Sequence, residues 1–406
     1  MKMSKKNLKD DQPSKIVRKI KTGISIFFFI GAVMFLAALS CTQESSQQRG
    51  QDFVPKEKKE KPSPSQTKLS RVVMGYYPAW KRSEFSHHLI DFSNLTHLAE
   101  AFTKPDSEGN LVVDDYYLYP ELIAEAHRHS VKVIMSIGGW GNCEGFPPTA
   151  ASPEKRLRFI TQVVDFCLQY GYDGVDLDWE FVSNDQEREN FSALVRELSV
   201  ALKAENPPLL LTMATPSGPY WGRWISYETL HPYFDYIGFM TYDYHGPWSD
   251  HSGHNSPLFT CQNDPCGSVD DTFSYALIRE IPLEKLLLGI PFFGRSFNTD
   301  GLYRSSNRSD YFNYSDIQKL LASGWEYNWD SCSQVPFLLD PSKTTLLSFD
   351  DVRSVFQKCR YVLDKGAAGI IIWEITGDWH NGKSELLEAV GKSFKGGLAK
   401  EKISEK

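Results

Sequence analysis

From residue 70 onward, short β-branched or apolar runs alternate with stretches whose apolar positions recur every three or four residues. The runs are Val72–Tyr77, His97–Phe102, Val131–Ile137, Gly174–Glu180, Leu209–Thr215, Tyr236–Asp243, Leu286–Phe293 and Gly369–Ile375. Their lengths and bounding residues predict strands. Helical periodicity is clearest over Pro153–Tyr170, Gln186–Ala204 and Asp351–Lys365. Eight strand-then-helix units in about 325 residues predict an α/β fold, the (β/α)₈ TIM barrel, whose active sites sit at the C-terminal ends of the strands. Between Phe297 and Phe349 the rhythm breaks, with little helical period beyond Ser315–Ala322. A loop of that length is usually functional or a small subdomain. Its Trp325, Tyr327 and Trp329 either line a groove wall or form the subdomain's own core.

Within the fourth run, Asp173-Gly174-Val175-Asp176-Leu177-Asp178-Trp179-Glu180, the side chains of a strand alternate between faces. Val175, Leu177 and Trp179 point one way, and Asp176, Asp178 and Glu180 the other. Three acids on one buried face repel one another and are costly to desolvate. A solvated acidic edge fits poorly beside Phe166–Tyr172 and Phe181. A metal site fits poorly on a rigid strand with no EF-hand glycine pattern and no nearby His-x-x-His pair. A catalytic carboxylate array is the reading that remains, with Glu180 at the strand's end.

Asp-Gly-x-Asp-x-Asp-x-Glu, with five fixed positions, resembles the signature of family 18 glycoside hydrolases, the chitinase family. Motifs at other strand ends agree. In Gly75-Tyr76-Tyr77-Pro78-Ala79-Trp80, Tyr76 matches the family's hydroxyl donor to the inner aspartate and Trp80 a sugar-stacking ring. Ser136-Ile137-Gly138-Gly139-Trp140 matches the strand-three motif, with Ser136 beside Asp176 and glycines allowing close backbone approach. Met240-Thr241-Tyr242-Asp243 matches strand six, Gly289 to Arg295 matches strand seven, and Trp373 matches the ring under the sugar whose bond breaks. Phe102, Gly139, Trp140, Met240, Asp243 and Arg295 are expected to line the groove with them. Taken singly, a Trp or Tyr at a strand end is usually packing, and Met240 could be pure core; five motifs at strand ends together argue for a site.

The resemblance covers roughly residues 70 to 395, and it implies cleavage of β-1,4-linked N-acetylglucosamine chains by a substrate-assisted route, an exception to two-carboxylate schemes. Glu180 is the implied acid, then base; Asp178 orients the substrate's acetamido N–H, Asp176 shares a proton with Asp178, and Tyr242 donates to the acetamido oxygen. Asp173 more simply supports the start of the strand. The resemblance also implies that the long interval is a reduced α+β insertion between strand seven and helix seven. Three positions depart from the pattern: Phe293 stands where Tyr is common, Glu100 where an uncharged residue is usual, and Thr376 where Asp is frequent. Glu100 either tunes the acid column or faces outward. The competing functions are a sugar-binding lectin on an inactive barrel, though Glu180 is present, and the same chemistry on peptidoglycan or N-glycan chitobiose cores.

Composition changes the picture mainly at the N-terminus. The net charge is −7, yet the first 21 residues carry eight Lys/Arg against two Asp, which leaves the remainder at −13. That balance argues against nucleic acid and suits a neutral polymer. After the basic region, the apolar run Gly23–Leu39 ends in Ser40-Cys41, which fits an export signal and resembles a bacterial lipoprotein box with Cys41 lipidated. An uncleaved signal anchor is the alternative. Residues 42–68, rich in Gln, Ser, Lys, Glu and Pro, read as a disordered tether, leaving 69–396 as the catalytic domain with an insertion at about 297–349. A membrane-tethered monomer outside the cytoplasm is expected. Six further cysteines permit disulfides; Cys261 with Cys266 is the best local pair, and Cys167 reads as a buried thiol. No metal, nucleotide or redox cofactor is implied, because no phosphate-cradling Gly loop or clustered Cys/His set is visible along the chain.

Overall fold

The strand-forming runs pair side by side in a ring. The computed structural model describes residues 68–262 and 264–395; the candidate export segment, Cys41 and all of the tether except Lys68 lie outside them. The barrel strands are β1 Val72–Pro78, β2 His97–Pro105, β3 Lys132–Gly138, β4 Gly174–Asp178, β5 Leu210–Pro216, β6 Tyr236–Met240, β7 Leu286–Pro291 and β8 Gly369–Trp373. Each pairs in parallel with the next, and β8 closes on β1 through Val72↔Gly369 to Gly75↔Ile372. This is the closed eight-stranded (β/α)₈ barrel that the periodicity predicts.

Strand alternation sorts the core into two clusters. Met74, Tyr76, Ala99, Ala101, Ala214, Leu287 and Ile371 fill the barrel interior. Val73, Leu98, Val133, Val175, Leu177, Leu211, Ile237 and Ile370 face outward against Phe159, Val163, Leu194, Leu198, Val355 and Val362 of the helices. The helices stop and start where local chemistry dictates. Ser152 accepts from the Lys155 N–H to open Pro153–Tyr170, and Gly171 closes it in the left-handed region that glycine adopts freely. Asp351 and Ser354 form a reciprocal capping box at the head of Val352–Lys365.

Three predicted runs end earlier than the periodicity suggests, the last of them, β8, at Trp373 rather than Ile375. β4 stops at Asp178 and β6 at Met240, so Glu180 and Tyr242–Asp243 stand in the loops just beyond their strands. The seventh run divides: Leu286–Pro291 belongs to the barrel, while Phe293–Phe297 begins a separate antiparallel sheet. That sheet is ordered Tyr311–Asn313, Phe293–Phe297, Leu346–Ser348, Val335–Leu339, Glu326–Asp330, with the helix Tyr314–Ala322 beside it. Tyr327 on its edge donates to Asp351 at 2.8 Å, Arg353 lies 3.8 Å over the Trp329 ring, and Trp325 packs on the main core. Tyr327 and Trp329 thereby seat the sheet on the following helix.

The disulfide joins Cys261 to Cys332, not to Cys266. The Leu258 N–H bonds the Ser333 carbonyl, which runs the two segments alongside each other and brings Cys332 within a Cα distance of 6.0 Å. Cys143, Cys167 and Cys359 are buried free thiols. Among the described residues no helix is long and apolar enough to cross a membrane.

Candidate active site

Register builds the site's lowest layer. Ser136, Asp176 and Thr212 pair across β3, β4 and β5, and all three face the interior. Asp176 accepts from Tyr76 at 2.8 Å and Ser136 at 2.9 Å on one oxygen, and from Thr212 at 2.6 Å on the other. These donors favour its charged form, but complete burial outweighs them and holds its pKa above the ordinary value. Thr212 was not singled out from sequence; its signal was the position facing Asp176 on the next strand.

Asp178 is buried one layer higher, and its Oδ1 has no hydrogen-bond partner among the described residues. Burial, then the charges of Glu180 and Asp176, push its pKa well up. Glu180 is half-buried at the mouth. Burial and the nearby Asp243 carboxylate raise its pKa to about 7, against the pull of the Trp140 N–H. The Tyr242 phenol is buried against the same acids; its pKa is raised first by burial, then by Asp178 and Glu180. The column and its hydroxyl donor are therefore brought together.

The backbone around Glu180 is fixed from β3. Gly138 and Gly139 have φ of +113° and +79°, and a Cβ on them would fall 2.1 Å from the Asp178 carbonyl and 2.4 Å from the Phe102 ring. Only glycine admits both the turn and the ring. The Glu180 N–H bonds Cys143 Sγ at 3.2 Å, and that sulfur also lies 3.4 Å from the Gly139 and Asp178 carbonyls. Burial pushes this thiol up to about 12, so it stays neutral. Nothing in the sequence marked Cys143 for that position. Cis peptide bonds join Ala101–Phe102 within β2, Glu180–Phe181 just beyond β4 and Trp373–Glu374 at the end of β8.

Rings gather around the mouth of the barrel. Trp373 stacks on Phe102 at 5.6 Å and 13°, Tyr76 lies tilted 5.8 Å from Trp373, and Trp80 lies 6.1 Å from Phe102. Met240 packs against the same inner cluster as Phe102 and Trp373. Trp140 is 76 % exposed, the most open of the predicted ring positions. Next to Glu180, Phe181 stacks on Trp221 at 5.4 Å, a pair not anticipated from sequence.

On the side of β6, Asp243 adopts φ +59° and its N–H bonds the Asn255 side chain. Its carboxylate takes a two-point bond from Arg295, at 2.7 and 3.0 Å. The guanidinium lies 5.5 Å from each of the Trp248, Phe293 and Tyr311 rings. Phe293 stacks on Tyr311 at 4.7 Å, so where the family pattern favours a tyrosine this chain sets its phenol one strand away. Trp248, Asn255 and Tyr311 lie in loops and the inserted sheet, where no strand pattern pointed to them.

The other two departures lie outside the acid column. Glu100 faces the outer cluster, where Tyr172 donates to it at 2.7 Å, and burial raises its pKa to about 8. Thr376 bonds both oxygens of buried Glu374, through its N–H at 2.7 Å and its hydroxyl at 2.8 Å. An aspartate there would set a second carboxylate against Glu374.

A family model described as glycosyl hydrolases family 18 matches residues 72–378. A "chitinase-like effector" of Moniliophthora roreri is 26 % identical, over 80 % of this chain and 93 % of that protein. "Chitinase 1" of Aphanocladium album is 28 % identical, over 72 % and 75 %. The solved Group IV chitinase of Ostrinia furnacalis, in complex with allosamidin, superimposes with a TM-score of 0.73 at 28 % identity, covering 79 % of this chain and 98 % of that one. A closed barrel with an acid column at its mouth, matched from its first strand to just beyond its last, makes this chain a member of glycosyl hydrolase family 18.

Proposed function

We propose that this protein hydrolyses β-1,4 bonds between N-acetylglucosamine units, in chitin or its oligomers, with retention of configuration. The observation that carries the reading is the unpartnered, buried Oδ1 of Asp178 beneath a protonatable Glu180. A buried acceptor left without a donor is costly, and a substrate acetamido N–H is a donor of the right kind. Glu180 protonates the leaving oxygen. The acetamido carbonyl, oriented by Asp178 and Tyr242, closes on the anomeric carbon, and the resulting oxazolinium charge is offset by the acids below. Water then opens the ring, with Glu180 as base. Trp373 forms the floor beneath the sugar, while Trp80, Phe102 and Trp140 extend the stacking surface. The names of the relatives support chitin-like chains.

The test is the product pattern from defined N-acetylglucosamine oligomers set against peptidoglycan and against oligomers lacking the N-acetyl group. Cleavage of the acetylated oligomers alone supports the proposal. Equal rates with and without the acetyl group would remove substrate assistance, and exclusive action on peptidoglycan would change the substrate. Asp178→Asn is expected to slow cleavage of the acetylated oligomers. For the N-terminus we propose export and tethering through lipidated Cys41: Cys41→Ala is expected to release the protein, and full membrane retention would favour an uncleaved anchor.

A further inference from the structure

Beyond β6, away from the acid column, four ligating side chains converge. His245 and His251 come from the loop after β6, and Asp264 and Cys266 from the turn before the helix Val269–Ile278. One ligand atom from each lies within 4.8 Å of all the others. The His245 and His251 Nε2 atoms are 3.2 Å apart, and they lie 3.2 and 3.9 Å from the two oxygens of Asp264. Tetrahedral zinc, with bonds of about 2.0–2.3 Å, holds its ligand atoms roughly 3.3–3.8 Å apart. The His–His and His–Asp spacings lie close to that range.

The opposite nitrogens are held by acceptors outside the cluster. His245 Nδ1 lies 3.0 Å from the His254 carbonyl, and His251 Nδ1 lies 2.7 Å from the Asp250 carboxylate. Both partners only accept, so each Nδ1 donates outward and each ring turns its Nε2 toward the centre. Outer partners of this kind orient histidine ligands in metal sites. Two imidazole nitrogens, a carboxylate and a thiol facing one point form a donor set complementary to positive charge. The His245 ring is fully buried and Asp264 is 4 % exposed, while His251 at 28 % leaves an approach from solvent. A Cβ at Gly253 would fall 2.2 Å from the His245 ring, so the loop wraps this closely only with glycine.

A buried imidazolium on His245 paired with Asp264 would also supply the charge. In that ion-free arrangement His245 and the Cys266 thiol donate to Asp264, and a metal titration separates it from a bound cation. We propose that His245, His251, Asp264 and Cys266 bind a zinc ion in a closed, four-ligand structural site. The ion would tie the loop that continues from Tyr242 and Asp243 to the turn held by the Cys261–Cys332 disulfide. Four protein ligands leave no open position, so its role is architectural. Two imidazoles, a carboxylate and a thiolate suit zinc better than magnesium or calcium, which prefer oxygen alone.

The experiment uses the purified full chain, stripped with chelator and titrated with Zn²⁺, and with Co²⁺ as a spectroscopic probe. The expected result is one equivalent bound per chain, the intense visible bands of tetrahedral Co²⁺ with a thiolate charge-transfer band, and an unfolding midpoint raised by several degrees. His251→Ala should weaken binding by at least about 100-fold, and Cys266→Ser should abolish the charge-transfer band. His251 is partly exposed, so its variant is the one expected to fold; the wild-type titration decides independently. No stoichiometric tetrahedral spectrum and no midpoint shift in the wild type would leave the imidazolium–carboxylate pair and overturn the site. Unchanged affinity in both variants would overturn it as well, by placing the ion elsewhere.

Discussion

Glu180 illustrates how one residue's chemistry is set by its surroundings. Burial and the Asp243 carboxylate both favour its neutral form, which brings its pKa to about 7. A general acid must carry its proton, so kcat/KM is expected to fall as pH rises through about 7. Asp243→Asn removes a negative neighbour, and the alkaline limb should move to lower pH in the variant's profile. A limb that stays put or moves up would show that Asp243 does not set this proton's affinity. At this scale much of the proposed column was legible, because Asp176, Asp178 and Glu180 fall on one face by strand alternation alone. Thr212 and Cys143 were not legible. One depends on register between strands, and the other on a turn that folds a thiol back under the Glu180 N–H.

At the scale of elements, the end of β6 is held by a buried polar chain. The Lys358 ammonium, on the helix Val352–Lys365, bonds Asp350 at 2.7 Å and Ser256 at 2.6 Å, and Ser256 donates to the Thr241 carbonyl beside Tyr242. Both charges are buried. Removing one partner strands the other, so Lys358→Met is expected to cost about 3–5 kcal/mol in urea unfolding, with much of the loss recovered when Asp350→Asn is added. A wild-type midpoint in the single variant would contradict this. The eight barrel strands were readable because each carries its own apolar period. The inserted sheet was not: its strands are short and interrupted by turns, Tyr311–Asn313 and Glu326–Asp330 lack a buried face, and the first strand, Phe293–Phe297, begins two residues after β7 ends. The pairing of Cys261 with Cys332 follows from that sheet's packing and could not be read locally. The same holds for the His245 cluster, which forms only when two loops meet.

For the whole molecule, acids held neutral by burial make stability depend on pH. Glu100 has a pKa of about 8 in the fold against an ordinary 4.5, so between those values the folded chain keeps a proton that the unfolded chain has lost. Stability therefore falls as pH rises through that window, by up to about 1.4 kcal/mol per pH unit. Glu100→Gln cannot titrate and should show a shallower decline in melting temperature from pH 5 to 8. An unchanged slope would place the dependence on other acids, of which Asp378, raised to about 7 by burial, is the next. The proposed glycosidase chemistry is tested most directly at Glu180→Gln. Binding of an N-acetylglucosamine oligomer and turnover of the same oligomer are measured side by side. The account predicts binding close to wild type and turnover lower by about 10²–10⁴-fold; turnover equal to wild type would contradict it.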